Sequence, residues 1–162
     1  MENHMKHGHE EMHHYRKLLI MTVLSFIAMY ILMYSMVDRL ENVIPNINQI
    51  YMAGLMTMPM VIIELSIMGA MYKNKKANLA IMAVSAIALI AFFFAIRVQT
   101  AVGDKEFLKS MIPHHAAAIL MVKEAELSDP EIQQLAKNII SSQQAEIEQM
   151  KAKIEELENN KP

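Results

Sequence analysis

The chain has 162 residues, of which 54% are hydrophobic and 20% charged, and it contains no cysteine. This composition is more apolar and less charged than that of an ordinary soluble domain, so a membrane protein is the first class to consider. The absence of cysteine excludes disulfides, zinc–thiolate sites, iron–sulfur clusters and thiol nucleophiles. The formal net charge of −2 excludes an electrostatic nucleic-acid-binding protein, because a phosphate-binding surface needs clustered Lys and Arg.

Three long apolar stretches predict three transmembrane helices. Residues 18–37 and 77–96 contain no charged residue and are long enough to cross a hydrocarbon core of about 30 Å. Between them, residues 51–71 are apolar except for Glu64 and carry Pro59 near the middle. The first stretch is too long for a secretory signal, and residues 38–41 provide no small-residue cleavage site.

Basic residues around these stretches predict the orientation in the membrane. They cluster before the first span, as Lys6, Arg16 and Lys17, and between the second and third spans, as Lys73, Lys75 and Lys76. The loop after the first span carries only Arg39, beside Asp38 and Glu41. Because cytoplasmic loops are rich in Lys and Arg, we expect a cytoplasmic N-terminus. Residues 97–162 are then periplasmic or extracellular.

The last third of the chain changes to a pattern of two polar helices. Residues 104–126 and 131–158 predict helices, with a turn and cap at residues 128–131. The second helix carries a heptad seam: Ala136, Ile140, Gln143, Ile147, Met150, Ile154 and Leu157. Two helices cannot bury both of their faces, so the hairpin pairs with another copy in a four-helix bundle or packs on extensions of the membrane helices. The predicted division is a His/Met-rich tail at 1–17, a transmembrane region at 18–96 and an extracytoplasmic domain at 97–162.

The first hairpin helix carries the most informative group of side chains. At 100° per residue, Met111, His114, Ala118 and Met121 share one face, and His115 lies at its edge. Imidazole and thioether suit Cu(I), whereas Mg²⁺ and Ca²⁺ prefer oxygen. The alternative is an ordinary core, since Met and Ala at helical spacing usually pack, although two adjacent histidines cannot both point into it.

The second hairpin helix offers further groups to such a metal site. Met150 supplies another thioether, and Gln143 or Glu146 is placed to orient a ligating imidazole.

A longer pattern runs through both helices: Phe107, Met111-Ile112-Pro113-His114-His115, Ile119, Met121, Pro130-Glu131-Ile132, Leu135-Ala136, Ile139-Ile140, Gln143, Glu146-Ile147 and Met150. In this pattern, residues 104–155 resemble domain-of-unknown-function family 305. That family is a ferritin-like helical hairpin module, usually secreted or membrane-anchored in prokaryotes, with some members linked to periplasmic copper binding and copper tolerance. The resemblance implies metal contacts at Met111, His114, His115 and Met121, with Met150 as a candidate, and a prokaryotic plasma-membrane location.

Ferritin-like ancestry also raises a di-iron or di-manganese oxidase. That chemistry needs inward Glu residues and Glu-x-x-His repeats on bundled helices. The hairpin has no Glu-x-x-His, and the two overlapping instances in the chain end at His13 and His14 in the tail. No Ser/His/Asp arrangement, phosphate loop or positioned carboxylate pair is present either, so we expect a protein that is not an enzyme.

Two other groups of potential metal ligands lie outside the hairpin. The tail holds five histidines that form weaker metal candidates, His4, His7, His9, His13 and His14. In the second span, four methionines and a carboxylate recur every four residues: Met52, Met56, Met60, Glu64 and Met68. An ionisable residue in a span suggests function, although Met also fills irregular gaps in cores.

The sequence therefore predicts an all-α membrane protein, with three transmembrane helices and a ferritin-like two-helix hairpin that completes a bundle by homo-oligomerisation. Its expected function is to bind, buffer or hand over copper as Cu(I), with silver as a chemically similar ion, in exchange with a copper donor or acceptor protein. Two alternatives remain open. One is a self-associating assembly module without a metal. The other is an oligomeric Cu(I) conduit through the methionine-lined spans.

Overall fold

A computed structural model of the chain describes the backbone of residues 2–159 and the side chains of residues 12–159. This part of the chain contains helices and no strand, which confirms the predicted all-α class. The α-helices are α1 (Glu2–Leu32), α2 (Ile47–Ile67), α3 (Lys75–Arg97), α4 (Asp104–Glu124) and α5 (Pro130–Asn159). Short 3-10 turns at Met33–Met36 and Leu40–Asn42 connect α1 to α2.

Three helical segments are long and apolar enough to cross a membrane: Met12–Met36, Ile47–Ile67 and Lys75–Arg97. They overlap the three predicted spans, but α2 and α3 begin earlier than predicted. The reason is capping by asparagine. The side chain of Asn46 accepts a hydrogen bond from Gln49 N (3.0 Å), and that of Asn74 accepts one from Ala77 N (3.0 Å). These bonds satisfy amides that the first helical turn leaves free.

Helix α1 begins well before its apolar part. From Glu2 onward, the backbone of the predicted His/Met-rich tail is helical and continues directly into the first apolar segment. Residues 2–17 contain no proline and only Gly8 among the residues that strongly disfavour helix, so the helix is not interrupted. The side chains of His4, His7 and His9 lie outside the described residues.

The chain forms two compact units, and the first contains the chain up to Leu32 together with Ile50–Thr100. Its core consists of Leu18, Val61, Leu65 and Tyr72. Burial of Tyr72 and, after it, the neighbouring Glu64 raise the pKa of the Tyr72 phenol above its usual value. The phenol therefore keeps its proton at neutral pH and donates a long hydrogen bond of 3.4 Å to Glu64 Oε1.

The second unit combines Met33–Gln49 with the chain from Ala101 onward. Its core lies between α4 and α5 and consists of Ile112, Ala116, Ile119, Ile147 and Met150. All seven positions of the predicted heptad seam on α5 are buried or half-buried, which confirms the inward face of that helix. The predicted cap is also confirmed, because Asp129 Oδ1 accepts hydrogen bonds from Glu131 N (2.9 Å) and Ile132 N (3.0 Å).

Residues 33–49 pack against this hairpin, a contact that the sequence analysis did not predict. Val37 and Ile44 lie against its core, and Glu106 Oε2 accepts a hydrogen bond from Ile47 N at 3.3 Å. Asp38 Oδ2, on a side chain that is almost fully buried, lies 4.0 Å from Lys123 Nζ. The chain thus covers part of its own hairpin with the segment that follows α1, so intramolecular contacts bury some of the surface that the sequence analysis assigned to another copy or to helix extensions.

We expect Asn46→Ala to lower the free energy of unfolding of the second unit by about 1 kcal/mol, the usual cost of losing a helix cap. Besides capping α2, Asn46 Oδ1 lies 3.3 Å from Ser110 Oγ, which donates to it from α4. Hydrogen exchange of amides 47–49 should therefore accelerate. Asn74→Ala, which removes the cap of α3, is the matched control and should leave those amides unchanged. Unaltered exchange at 47–49 in Asn46→Ala would contradict the assigned cap.

Candidate metal site on the helical hairpin

The His115 side chain lies between α4 and α5 with only 11% of its surface exposed. Its Nδ1 is 2.9 Å from the carbonyl oxygen of Met111, and its Nε2 is 2.7 Å from Glu146 Oε2. A carbonyl oxygen can only accept, so Nδ1 carries a hydrogen and donates it. This bond to its own helix fixes the ring and directs Nε2 toward α5.

A cavity of about 310 Å³ lies beside this ring. It is lined by Phe107, Leu108, Met111, His115, Glu146, Gln149, Met150 and Lys153. Two thioethers, one imidazole and one carboxylate therefore meet at the same cavity. Met150 is buried in the hairpin core, whereas Met111 is half-buried at its edge, so both are held by packing.

Local sequence explains why these side chains converge. On α4, Met111 and His115 are four residues apart and lie on one face, one turn apart. The same spacing relates Glu146 and Met150 on α5. The apolar residues Ile112, Ile119 and Ile147 are completely buried beside them and fix the rotation of both helices.

Two of the predicted ligands lie away from this cavity. His114 is exposed, its ring centroid is 6.3 Å from that of His115, and Met121 is 53% exposed. The predicted face through His114 and Ala118 is therefore not the face of α4 that packs against α5. The physical reason is that Ile112 and Ile119 provide more apolar surface than Ala118, and burying them rotates His114 outward.

Glu146 was predicted to orient an imidazole, and in the structure it contacts the His115 ring directly. Gln143, one turn earlier on α5, is half-buried, and its Oε1 is buried without a hydrogen-bond partner among the described atoms. Sequence reasoning did not include Lys153, which reaches the cavity from the next turn of α5. Lys153 lies three residues after Met150 and seven after Glu146, and this spacing places all three on one face of α5 and could have identified Lys153 from the sequence.

The methionine ladder of α2 faces away from the core of the first unit. Met52, Met56 and Met68 are exposed, whereas Met60 and Glu64 are half-buried. The residues of α2 that are buried are Ala53, Gly54, Thr57, Val61 and Leu65. In a single chain the exposed methionines Met52, Met56 and Met68 therefore do not line an interior. Of the tail histidines with described side chains, His13 is exposed and His14 is half-buried.

Among the described side chains, no three His, Cys, Asp or Glu residues converge in the way that a carboxylate–histidine metal cage requires. The hairpin cavity is different because its donors include sulfur. Thioether and imidazole together favour a soft ion such as Cu(I) over Mg²⁺ or Ca²⁺.

Comparison with known proteins identifies the family. The family described as domain of unknown function (DUF305) matches residues 67–154, which include α3, α4 and most of α5. The chain belongs to the DUF305 family. The predicted resemblance is thereby confirmed, and the matched region extends further toward the N-terminus than residues 104–155.

An uncharacterized protein of Acanthamoeba polyphaga mimivirus is 34% identical to this DUF305 chain over 142 residues. The alignment covers 86% of this chain and 91% of the viral protein, so the similarity includes the apolar helices as well as the hairpin. No solved structure matches the chain.

Proposed function

We propose that this DUF305 protein is a membrane-anchored copper-binding protein that holds Cu(I) at the hairpin cavity through Met111, His115 and Met150. The observation that carries the proposal is the convergence of these two thioethers and one imidazole on a single cavity. Cu(I) accepts both ligand types, and Ag(I) has the same preference.

The hydrogen bond from Nδ1 of His115 to the Met111 carbonyl leaves Nε2 as the nitrogen that would bind the metal. Glu146 Oε2 contacts this nitrogen, so a bound metal ion would have to displace the Glu146 carboxylate from it. The Glu146 side chain is 53% exposed and is free to turn toward solvent. Its negative charge would then remain beside the bound cation and favour it.

The proposed setting is a membrane crossed three times. In a three-span path the segment after α1 and the chain after α3 lie on the same side, and the packing of residues 33–49 on the hairpin supports that path. We further propose that the N-terminus is cytoplasmic and the hairpin periplasmic or extracellular, as the distribution of Lys and Arg indicates. The prokaryotic plasma membrane remains a prediction from the family resemblance.

The proposed role is buffering or transfer of copper without covalent chemistry. Glu146 and Lys153 line the cavity and are each about half exposed, so a copper donor or acceptor protein could exchange the ion beside them. His114 and Met121, exposed on the neighbouring face of α4, remain candidates for contacts during such an exchange.

Competition titration with a chromophoric Cu(I) chelator tests the proposal. The full chain in detergent is titrated with His4, His7, His9 and His13 replaced by Gln, so that the N-terminal histidines do not mask the hairpin site. We expect Met150→Leu and His115→Ala each to weaken Cu(I) binding at the hairpin cavity by more than about tenfold. Loss of a residue that only orients a metal ligand already costs about 10- to 100-fold in affinity.

The matched controls are Met121→Leu and His114→Ala, which change the same residue types outside the cavity. They should leave the hairpin affinity unchanged. Met150→Leu preserves side-chain volume, so loss of copper in this variant with retained helicity separates ligation from folding. Equal affinities in Met150→Leu and Met121→Leu would overturn the proposed ligands.

Self-association without metal is a second candidate function, favoured by apolar residues that the hairpin leaves exposed. Ile132, Leu135, Met121 and Phe107 are each at least half exposed. An oligomer seen by light scattering in metal-free protein, and lost in Ile132→Ser/Leu135→Ser, would support it. A Cu(I) conduit would also need further copies, because the ladder of α2 faces outward.

A further inference from the structure

A second cavity, of about 160 Å³, lies within the first unit between α1 and the end of α2. Its lining includes His14, Lys17, Met21, Glu64, Met71 and Tyr72. It is separate from the hairpin site and shares only Glu64 with the methionine ladder, and it combines an imidazole with two thioethers and a carboxylate.

The backbone explains how these side chains meet. On α1, His14, Lys17 and Met21 are three and four residues apart and so lie on one face. Glu64 is in the last turn of α2. The chain then turns tightly, with Met71 N donating to the Met68 carbonyl at 2.9 Å, and this turn brings Met71 back toward α1.

Tyr72 holds the turn in place. Its ring packs at 5.3 Å from the ring of Tyr15 and edge-on at 6.2 Å from that of His14, measured between centroids. Its hydroxyl donates to Glu64, and its carbonyl accepts from Asn78 Nδ2 at 2.8 Å. The end of α2, the turn and the start of α3 are therefore tied to one face of α1, so the cavity is built by packed residues.

The donor set indicates which ligand would fit. Met21 and the His14 ring are half-buried and so partly shielded from water, whereas Met71 is 42% exposed and meets the cavity from the solvent-exposed turn. Thioether and imidazole donors prefer a soft cation. The charges of Lys17 and Glu64 offset one another, which disfavours a divalent ion more than a monovalent one.

We propose that this cavity is a second metal site, which binds one soft monovalent cation, Cu(I) or Ag(I), through His14, Met21 and Met71. Glu64 supplies the counter-charge, and Tyr72 is a positioning residue that holds Glu64 and the turn. The helical backbone of residues 2–13, a segment rich in His and Met, leads directly into this site along α1. The site is separate from the hairpin cavity, so neither proposal depends on the other.

Silver titration of the full chain in detergent tests the site. The background variant carries His4, His7, His9 and His13 as Gln, together with His115→Ala and Met150→Leu, so that the tract and the hairpin cavity no longer compete. We expect this background to bind one equivalent of Ag(I). Adding Met71→Leu or Met21→Leu should lower the affinity for that Ag(I) ion by more than about tenfold, because leucine keeps the side-chain volume but lacks the sulfur.

Met52→Leu and Met56→Leu are the matched controls, since these methionines are about as exposed as Met71 but do not line the cavity, and they should not alter the affinity. Tyr72→Phe tests the positioning role of the hydroxyl group, because a residue that served only as a packed ring would give the same Ag(I) affinity as phenylalanine. It keeps the packing but loses the bond to Glu64, so affinity should fall while helicity is retained. No silver binding in the background, or equal affinities in Met71→Leu and Met52→Leu, would overturn the site.

Discussion

Ile147→Ala is expected to lower the free energy of unfolding of the hairpin by about 2–5 kcal/mol, the range for removing a large aliphatic side chain from a core. Ile147 is completely buried between α4 and α5, in the cluster that also contains Ile112, Ile119 and Met150. Because the second unit has only two long helices and a connecting segment, few other contacts compensate for the cavity. Hydrogen exchange of amides in 104–159, measured in detergent, reports the loss locally.

Ile132→Ala is the matched control, because it makes the same change on the same helix at a residue that is 50% exposed. Its effect should stay within about 0.5 kcal/mol, as for most surface positions. If both variants destabilised the hairpin equally, Ile132 would be buried too, and only a second copy or another partner could cover it. The pair of variants therefore also examines oligomerisation.

The helical architecture was predictable because its signals are local. Charge-free segments determine where helices can cross a membrane, and the seam from Ala136 to Leu157 determines the inward face of α5. The start of α5 is similarly specified by Asp129 and Pro130. These features depend on residues close together in sequence, and the structure agrees with them.

The packing of residues 33–49 on α4 was not predictable in the same way. The hydrogen bond from Ile47 N to Glu106 joins residues that are distant in the chain, and neither has an unusual local pattern. The predicted division placed this segment in the transmembrane region, residues 18–96, because it covers the end of the first predicted span and the loop before the second. Its pairing with the hairpin depends on tertiary contacts, such as those of Val37 and Ile44 with the core.

The composition of the candidate site was predicted better than its geometry. Met111, His115, Glu146 and Met150 were all named from sequence, and the structure brings them to one cavity. The rotation of α4 was not recoverable from periodicity, because apolar residues occur on two sides of that helix. Burying Ile112 and Ile119 against α5 removes more apolar surface from water than burying Ala118 would. This difference turns His115 toward α5 and His114 away from it.

Gly54→Ala is expected to destabilise the first unit by about 1–3 kcal/mol, the usual cost of an overpacked core. Gly54 is buried on α2, and a Cβ atom there would lie only 2.4 Å from Cε2 of Phe92 on α3. Contact at this distance is impossible, so the Phe92 ring or the helix would have to move. Only glycine at position 54 lets the ring pack directly against the backbone of α2.

A double-mutant cycle separates this close contact from a general effect of alanine in α2. Phe92→Ala removes the ring, so adding Gly54→Ala to that variant should cost less than adding it to the parent chain. Unfolding of the helices by SDS titration, followed by circular dichroism, measures all four chains. A positive coupling of about 1 kcal/mol places Phe92 against Gly54 in the folded protein. Additive effects would mean that α2 and α3 do not pack at this position, and that Gly54 is small for another reason.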